Sequence, residues 1–124
     1  MKETSFNELP WHDSIILEIL IDRHDPGKAD NVLLRVRWPD EQTSIVRFTN
    51  CYALYANMNF GIIADESVRH AEALVDSEEL RVLRAKWSKA GDIVKQFKSF
   101  TIETNSTASM IVIFATSWAL ETVN

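Results

Sequence analysis

The sequence predicts an α+β domain. An antiparallel sheet of about five to six strands carries a helical segment, inserted at about residues 65–90 and packed on one face. Three observations predict it. Apolar residues recur at period two over 15–22, 31–38, 44–50 and 110–120, the spacing of a strand with one buried face. The links between the first three stretches are short and carry Pro, Gly, Asp or Gln, as in a meander of hairpins. Between 65 and 90 the spacing changes to three and four, the period of an amphipathic helix. At 124 residues the chain fits one domain, 1–124, large enough to form a core without disulfide or metal staples.

The first strand follows the polar turn Trp11-His12-Asp13-Ser14. Ile15, Leu17, Ile19 and Ile21 share one face, and Ile16 and Leu20 make the other partly apolar. Such a strand is expected at the centre of a sheet, with neighbours on both sides. Upstream, residues 1–10 are polar, with Phe6 and Leu9 as candidate anchors. Asp25-Pro26-Gly27-Lys28 turns the chain into a second strand, Asn31 to Trp38, with Arg35 and Arg37 facing outward. Pro39-Asp40-Glu41-Gln42 leads to a third, Ser44 to Asn50. In 51–60, Tyr52, Leu54, Ala56 and Met58 alternate with polar or small residues. A fourth strand is the favoured reading, with a helix as the alternative.

Val68, Ala71, Leu74 and Val75 then start the helical pattern, which places His70 on a solvated helix face. Asp76-Ser77-Glu78-Glu79 resembles a capping box with the acid at the cap. Leu80, Leu83 and Trp87 continue the stripe, Arg84, Lys86 and Lys89 suit the helix C-terminus, and Gly91 is a stop. Strands return at Phe97 to Thr104 and Met110 to Leu120, the latter so apolar that it too is expected to be central.

Composition narrows the function. A net charge of -5 argues against sequence-independent nucleic-acid binding, which needs a basic face, and is compatible with a basic protein partner. The single cysteine, Cys51, allows no internal disulfide and fits a reducing compartment. It reads as a packed side chain rather than a nucleophile. Met1 to Pro10 lack a signal-peptide core, and no segment has the ~20 apolar residues of a membrane helix. The expected location is cytoplasmic, without membrane contact.

His12 beside Asp13 is the most suggestive pair chemically, because a carboxylate can orient an imidazole as a base. Neighbours on an extended chain point to opposite sides, however, and a turn reading serves equally. His24 lies at the far end of the first strand, roughly 35 Å away at ~3.3 Å per residue, so the two cannot share a metal. No metal site and no cofactor are expected. Glycine spacing excludes a phosphate loop, and there is no nucleophile elbow. Of the four tryptophans, Trp87 and Trp118 have core periodicity. Trp11 and Trp38, at strand ends, are interface anchors or caps on the core. Asn57, Asn59 and Asn105 line a polar groove or serve turns and strand edges. The candidate binding residues are therefore Trp11, His12, Asp13, Trp38, Asn57 and Asn59, and no catalytic residue is assigned.

Leu9-Pro10-Trp11-His12-Asp13-Ser14 followed by an alternating strand resembles a group of small bacterial domains. In these a Leu-x-x-His-Asp-(Ala/Ser) turn opens a β-rich fold, and some look like immunity proteins of polymorphic toxin systems. The resemblance covers about the first fifty residues and implies a binding protein in which His12 and Asp13 are structural. The leading expectation is a non-enzymatic protein–protein binding module of immunity-like type. A small-molecule-binding or hydrolytic domain using the His12/Asp13 turn is one alternative, and a structural homo-oligomer, such as a homodimer through a strand edge, is the other.

Overall fold

A computed structural model describes residues 5–123. Six strands form one antiparallel sheet in the order β1-β2-β3-β6-β5-β4. They are β1 (Ile15–Asp25), β2 (Ala29–Arg37), β3 (Thr43–Asn57), β4 (Val68–Leu74), β5 (Lys98–Thr104) and β6 (Met110–Thr122). One α-helix, α1 (Glu78–Lys86), is followed by a 3-10 segment, Ser88–Gln96. The α+β class and the antiparallel sheet are as the sequence predicts.

Two long strands organise the sheet. The first half of β3 pairs with β2, Val32 to Arg37 against Thr43 to Phe48. The first half of β6 pairs with β5, Met110 to Ala115 against Lys98 to Glu103. Between these halves β3 carries a register shift at Cys51/Ala53 and Asn50 has φ 53°. Asn tolerates this left-handed geometry better than most residues, and a bulge bends its strand. The sheet is thus two arms, β1–β2 and β4–β5, hinged on a β3–β6 spine. Val32, Leu34 and Val36 from one arm and Ala71, Phe100 and Ile102 from the other meet in one buried cluster.

The arms also meet at a seam. Asp13 N donates to Val68 O at 2.9 Å, Val68 N to Ser14 O at 2.7 Å and Ile16 N to Glu66 O at 3.0 Å, and Ile15 bridges Ser67. The two outer strands are stitched there, and the ring of strands closes. Phe6 and Trp11, from the segment before β1, are buried inside it. Phe6 packs on Trp11, Phe48, Phe100 and Trp118 with ring centres 4.8–6.1 Å apart. Trp11 Nε1 donates to Phe6 O. The Asn7 carboxamide pairs with both backbone groups of Ala73, covering part of the exposed edge of β4 as a neighbouring strand would.

The first strand is not central. β1 is an edge strand, and only its first two residues gain a second neighbour, at the seam. A register shift between Ile16 and Glu18 exchanges its faces, so that Ile16 is buried while Leu17, Leu20 and Ile21 are exposed. Of its apolar residues only Ile16 and, in part, Ile19 face the core, so its apolar length does not mark a central position. By contrast, β6 is central, with Ile111, Ile113 and Ala115 fully buried. The stretch 51–57 is strand, but it continues the third strand instead of making a fourth.

The helical segment is shorter than expected. Val68 to Leu74 is strand β4, so His70 stands on a sheet edge. Its apolar residues at 68, 71 and 74 imitate helical spacing because a register shift between Val68 and His70 breaks the alternation. The helix cap is Ser77, whose hydroxyl accepts from Leu80 N at 3.1 Å, not Asp76. Gly91 does not end α1; it lies within the 3-10 segment at φ 85°, a conformation open to glycine at no steric cost. As expected, α1 lies on one face, the outer one. Leu80, Leu83, Phe97 and Phe114 form a second cluster there, with Tyr52 and Val112 beside it. Trp87, expected in the core, is instead exposed at the edge of this cluster, against Tyr52.

Arg84 holds this layer in place. Its guanidinium donates to Val75 O at 2.6 Å, Phe97 O at 3.0 Å and Val94 O at 3.2 Å. It thereby joins the entry to α1, the 3-10 segment and the start of β5. Arg84→Ala leaves three carbonyls without their charged donor and is expected to cost about 2 kcal/mol. Arg84→Lys recovers only part, since an ammonium lacks the planar fork. Urea unfolding of both variants checks this; an Ala variant as stable as the wild type refutes the assignment.

Candidate functional site

The Leu9–Ser14 turn is built around backbone bonds. Trp11 O accepts from both Ser14 N at 2.8 Å and Ser14 Oγ at 2.7 Å, and Ser14 is fully buried. Asp13 has φ 68°. That left-handed residue removes the expected divergence of neighbouring side chains and brings His12 Nε2 to 3.7 Å from Asp13 Oδ2. Both are well exposed, and His12 Nδ1 lies 3.3 Å from Arg69 O. The pair is therefore part of the seam, with no buried wall to orient a substrate.

A shallow groove of about 280 Å³ runs beside it, lined by Trp11, His12, Arg69, His70 and Glu72 among others. His70 Nε2 is 3.8 Å from Glu72 Oε2. Among the described residues no group of three or more His, Cys, Asp or Glu could hold a metal ion, and no helix is long and apolar enough to cross a membrane.

Trp11 and Trp38 come together, with ring centres 5.0 Å apart, but at 3% and 7% exposure they belong to the core. Trp38 Nε1 donates to Ser44 Oγ at 2.9 Å, so its polar tip is also satisfied inside. Their position at strand ends, the feature that suggested anchors, is the position of plugs in a closing barrel. Asn59 ties the β3–β4 connection down: Nδ2 donates to Thr107 O at 2.7 Å and its backbone N to Ser109 Oγ at 3.2 Å. Thr107 in turn hydrogen-bonds Glu66, next to the seam. Asn57 stands apart at the end of β3, opposite Met110.

The connection that Asn59 anchors carries the two most exposed large apolar side chains among the described residues. Phe60 is 85% exposed, Ile63 fully exposed and Ile62 half exposed. Tyr55, at the end of β3, and Met110, at the start of β6, are exposed beside it. Scattered apolar residues are ordinary on a surface. A run of three within four positions, on a loop pinned at both ends, is not. After Ala64 come Asp65, exposed, and Glu66, which give it an acidic border.

No protein family, curated protein or solved structure matches this chain. Its chemistry rests on its own geometry, and the loop is the surface that geometry singles out. Sequence periodicity missed it because residues 58–67 have none. The signal was composition, a Phe just before a glycine and an Ile-Ile pair between that glycine and two acids.

Cys51 is half-buried, and its thiol donates to Phe48 O at 3.4 Å. Burial raises its pKa from 9.0 to about 11. The thiolate is the reactive form, so a shift of that size lowers its population near pH 8 by about 100-fold. Iodoacetamide should therefore alkylate Cys51 about 100 times more slowly in the native chain than in urea. Because the folded pKa lies above the unfolded one, this contribution to stability is complete below pH 9 and is lost as pH rises towards 11. Equal labelling rates would show that the site opens freely.

Proposed function

We propose that this protein is a protein-binding module that uses the β3–β4 connection, Phe60 to Asp65, as the centre of its contact surface. The exposure of Phe60 and Ile63 carries the reading. Leaving a phenylalanine and two isoleucines in water gives up free energy that folding alone could recover, at roughly 1.5–3 kcal/mol for each side chain. A partner that covers them recovers it instead. The acidic border and the net charge of -5 favour a partner with an apolar hollow ringed by Lys or Arg, because complementary potentials steer association and fix register. The likeness of the Leu9–Ser14 turn to immunity-type domains supports a role in which occupying the partner is itself the function.

The deciding experiment uses the wild-type chain and a Phe60→Ser/Ile63→Ser double variant as baits in the native host, with solution mass measured for each. A basic protein held stoichiometrically by the wild type, released by salt and absent from the double variant, establishes the reading. The same protein retained by the double variant overturns the surface. Self-association lost in the double variant would make a second copy the occupant and exclude the basic partner.

A further inference from the structure

We propose that the cleft at the bend of β3 is a binding site for a small, uncharged, flat heteroaromatic molecule. This does not rest on the loop surface, which is built from a different stretch of the chain. The cleft measures about 460 Å³, within the ~300–1,000 Å³ typical of ligand sites. It lies between the tip of the β1–β2 arm, the Asn50–Leu54 bend and the C-terminal end of α1.

Three features of its wall select the ligand. First, the apolar part is contributed by Val32, Leu54 and Ile21, together with the aromatic pair Tyr52 and Trp87. Those two rings meet edge to face at 5.0 Å, and Trp87 remains partly exposed. A flat ring system can cover that exposed area in the offset geometry aromatic pairs prefer.

Second, the charges at the rim cancel each other. Arg23 Nε donates to Asp30 Oδ1 at 2.8 Å and Gly27 N donates to Asp30 Oδ2 at 3.0 Å. An anion competes with Asp30 for Arg23, and a cation competes with Arg23 for Asp30. Burial keeps the Cys51 thiol protonated, so it adds no charge. An uncharged molecule disturbs none of this.

Third, Asn31 and Asn50 line the cleft. Asn31 Oδ1 accepts from Asn50 N at 3.4 Å, which leaves the Asn31 amide N–H groups and the Asn50 carboxamide to meet the ring nitrogens and lactam groups of a heterocycle. Asn50 also holds the left-handed backbone at the bulge. Strained residues and bulges concentrate where a chain must present a site.

Quinazolin-4-one, uncharged and carrying one lactam, serves as the probe, with naphthalene-2-sulfonate as an anion of similar size. Amide chemical shifts are followed by NMR in the whole chain. Saturable shifts at 31–32 and 50–54 are expected with quinazolin-4-one, with binding of the sulfonate at least about tenfold weaker. Trp87→Ala should weaken quinazolin-4-one by about tenfold, given the weight aromatic contacts carry in small sites. Asn50→Gly keeps the backbone conformation available, removes the carboxamide, and should weaken binding several-fold. It decides the matter if the Trp87 variant is unstable. Absence of saturation, equal binding of the two probes, shifts centred on the His12 groove, or wild-type affinity in folded variants would each overturn the proposal.

Discussion

Replacing Phe6 by alanine should cost about 3–5 kcal/mol of folding free energy, the range for a fully buried aromatic truncated in place. For a chain of this length that corresponds to a fall in melting temperature of roughly 10–20 °C. Phe6 is 2% exposed and touches four other aromatic rings, Phe48 and Trp118 on the spine, Phe100 on β5 and Trp11 just before β1. Its removal leaves a cavity at the point where the arms meet. The surrounding strands are fixed by the β3–β6 spine and the seam, so collapse into that space is limited, and the cost belongs at the upper end. Since domain stability is typically ~5–15 kcal/mol, the variant should be marginal at 37 °C. Thermal and urea unfolding measure it directly. A loss below about 1 kcal/mol would mean that the N-terminal segment does not occupy the core in solution. Phe60→Ala gives the comparison within one molecule, since that ring is exposed and its loss should leave stability nearly unchanged.

The second large effect is the mirror image of the first. Phe60→Ser/Ile63→Ser should weaken partner binding by roughly 100- to 1,000-fold while leaving the melting temperature unchanged or slightly higher. Each residue, if central to an interface, carries at least about 2 kcal/mol, and about 1.4 kcal/mol is a factor of ten. The two side chains lie three positions apart on one loop, so their contributions need not add, which sets the lower figure. The change should fall mainly on dissociation, whereas removal of the acidic border by Asp65→Asn should act on association and on its salt dependence. Titration calorimetry with the purified partner, at two salt concentrations, separates these. An unchanged affinity would show that the loop is merely exposed.

Much of the fold is legible in the sequence because a strand buried on one face writes its burial pattern at period two. Val32, Leu34 and Val36, or Ile111 and Ile113, face inward where alternation puts them. Legibility fails where a bulge breaks the period. The shift at Leu17 exchanged the faces of β1, and the shift after Val68 gave β4 the spacing of a helix. Bulges depend on how strands meet across the sheet, and alternation along one strand does not encode that. The candidate site was less legible still. Trp11 and Trp38 drew attention as strand-end aromatics, but closure of the ring turned both ends inward. Phe60 and Ile63 are informative only because nothing covers them, and that is a property of the folded surface.

The spine has a consequence for how the chain acquires its structure during synthesis. Ser44 pairs with Thr122 and Phe48 with Trp118, so the wall on which the first arm rests is completed only when β6, more than 60 residues further along, has been made. Until residues 110–122 emerge, β1, β2 and β3 form a meander whose apolar face and whose β3 edge are both bare. Contacts so distant along the chain slow folding, and an unfinished chain that exposes Val32, Leu34 and Phe48 is prone to aggregation. The nascent protein should therefore depend on holdase chaperones until β6 has emerged, and only then close its core.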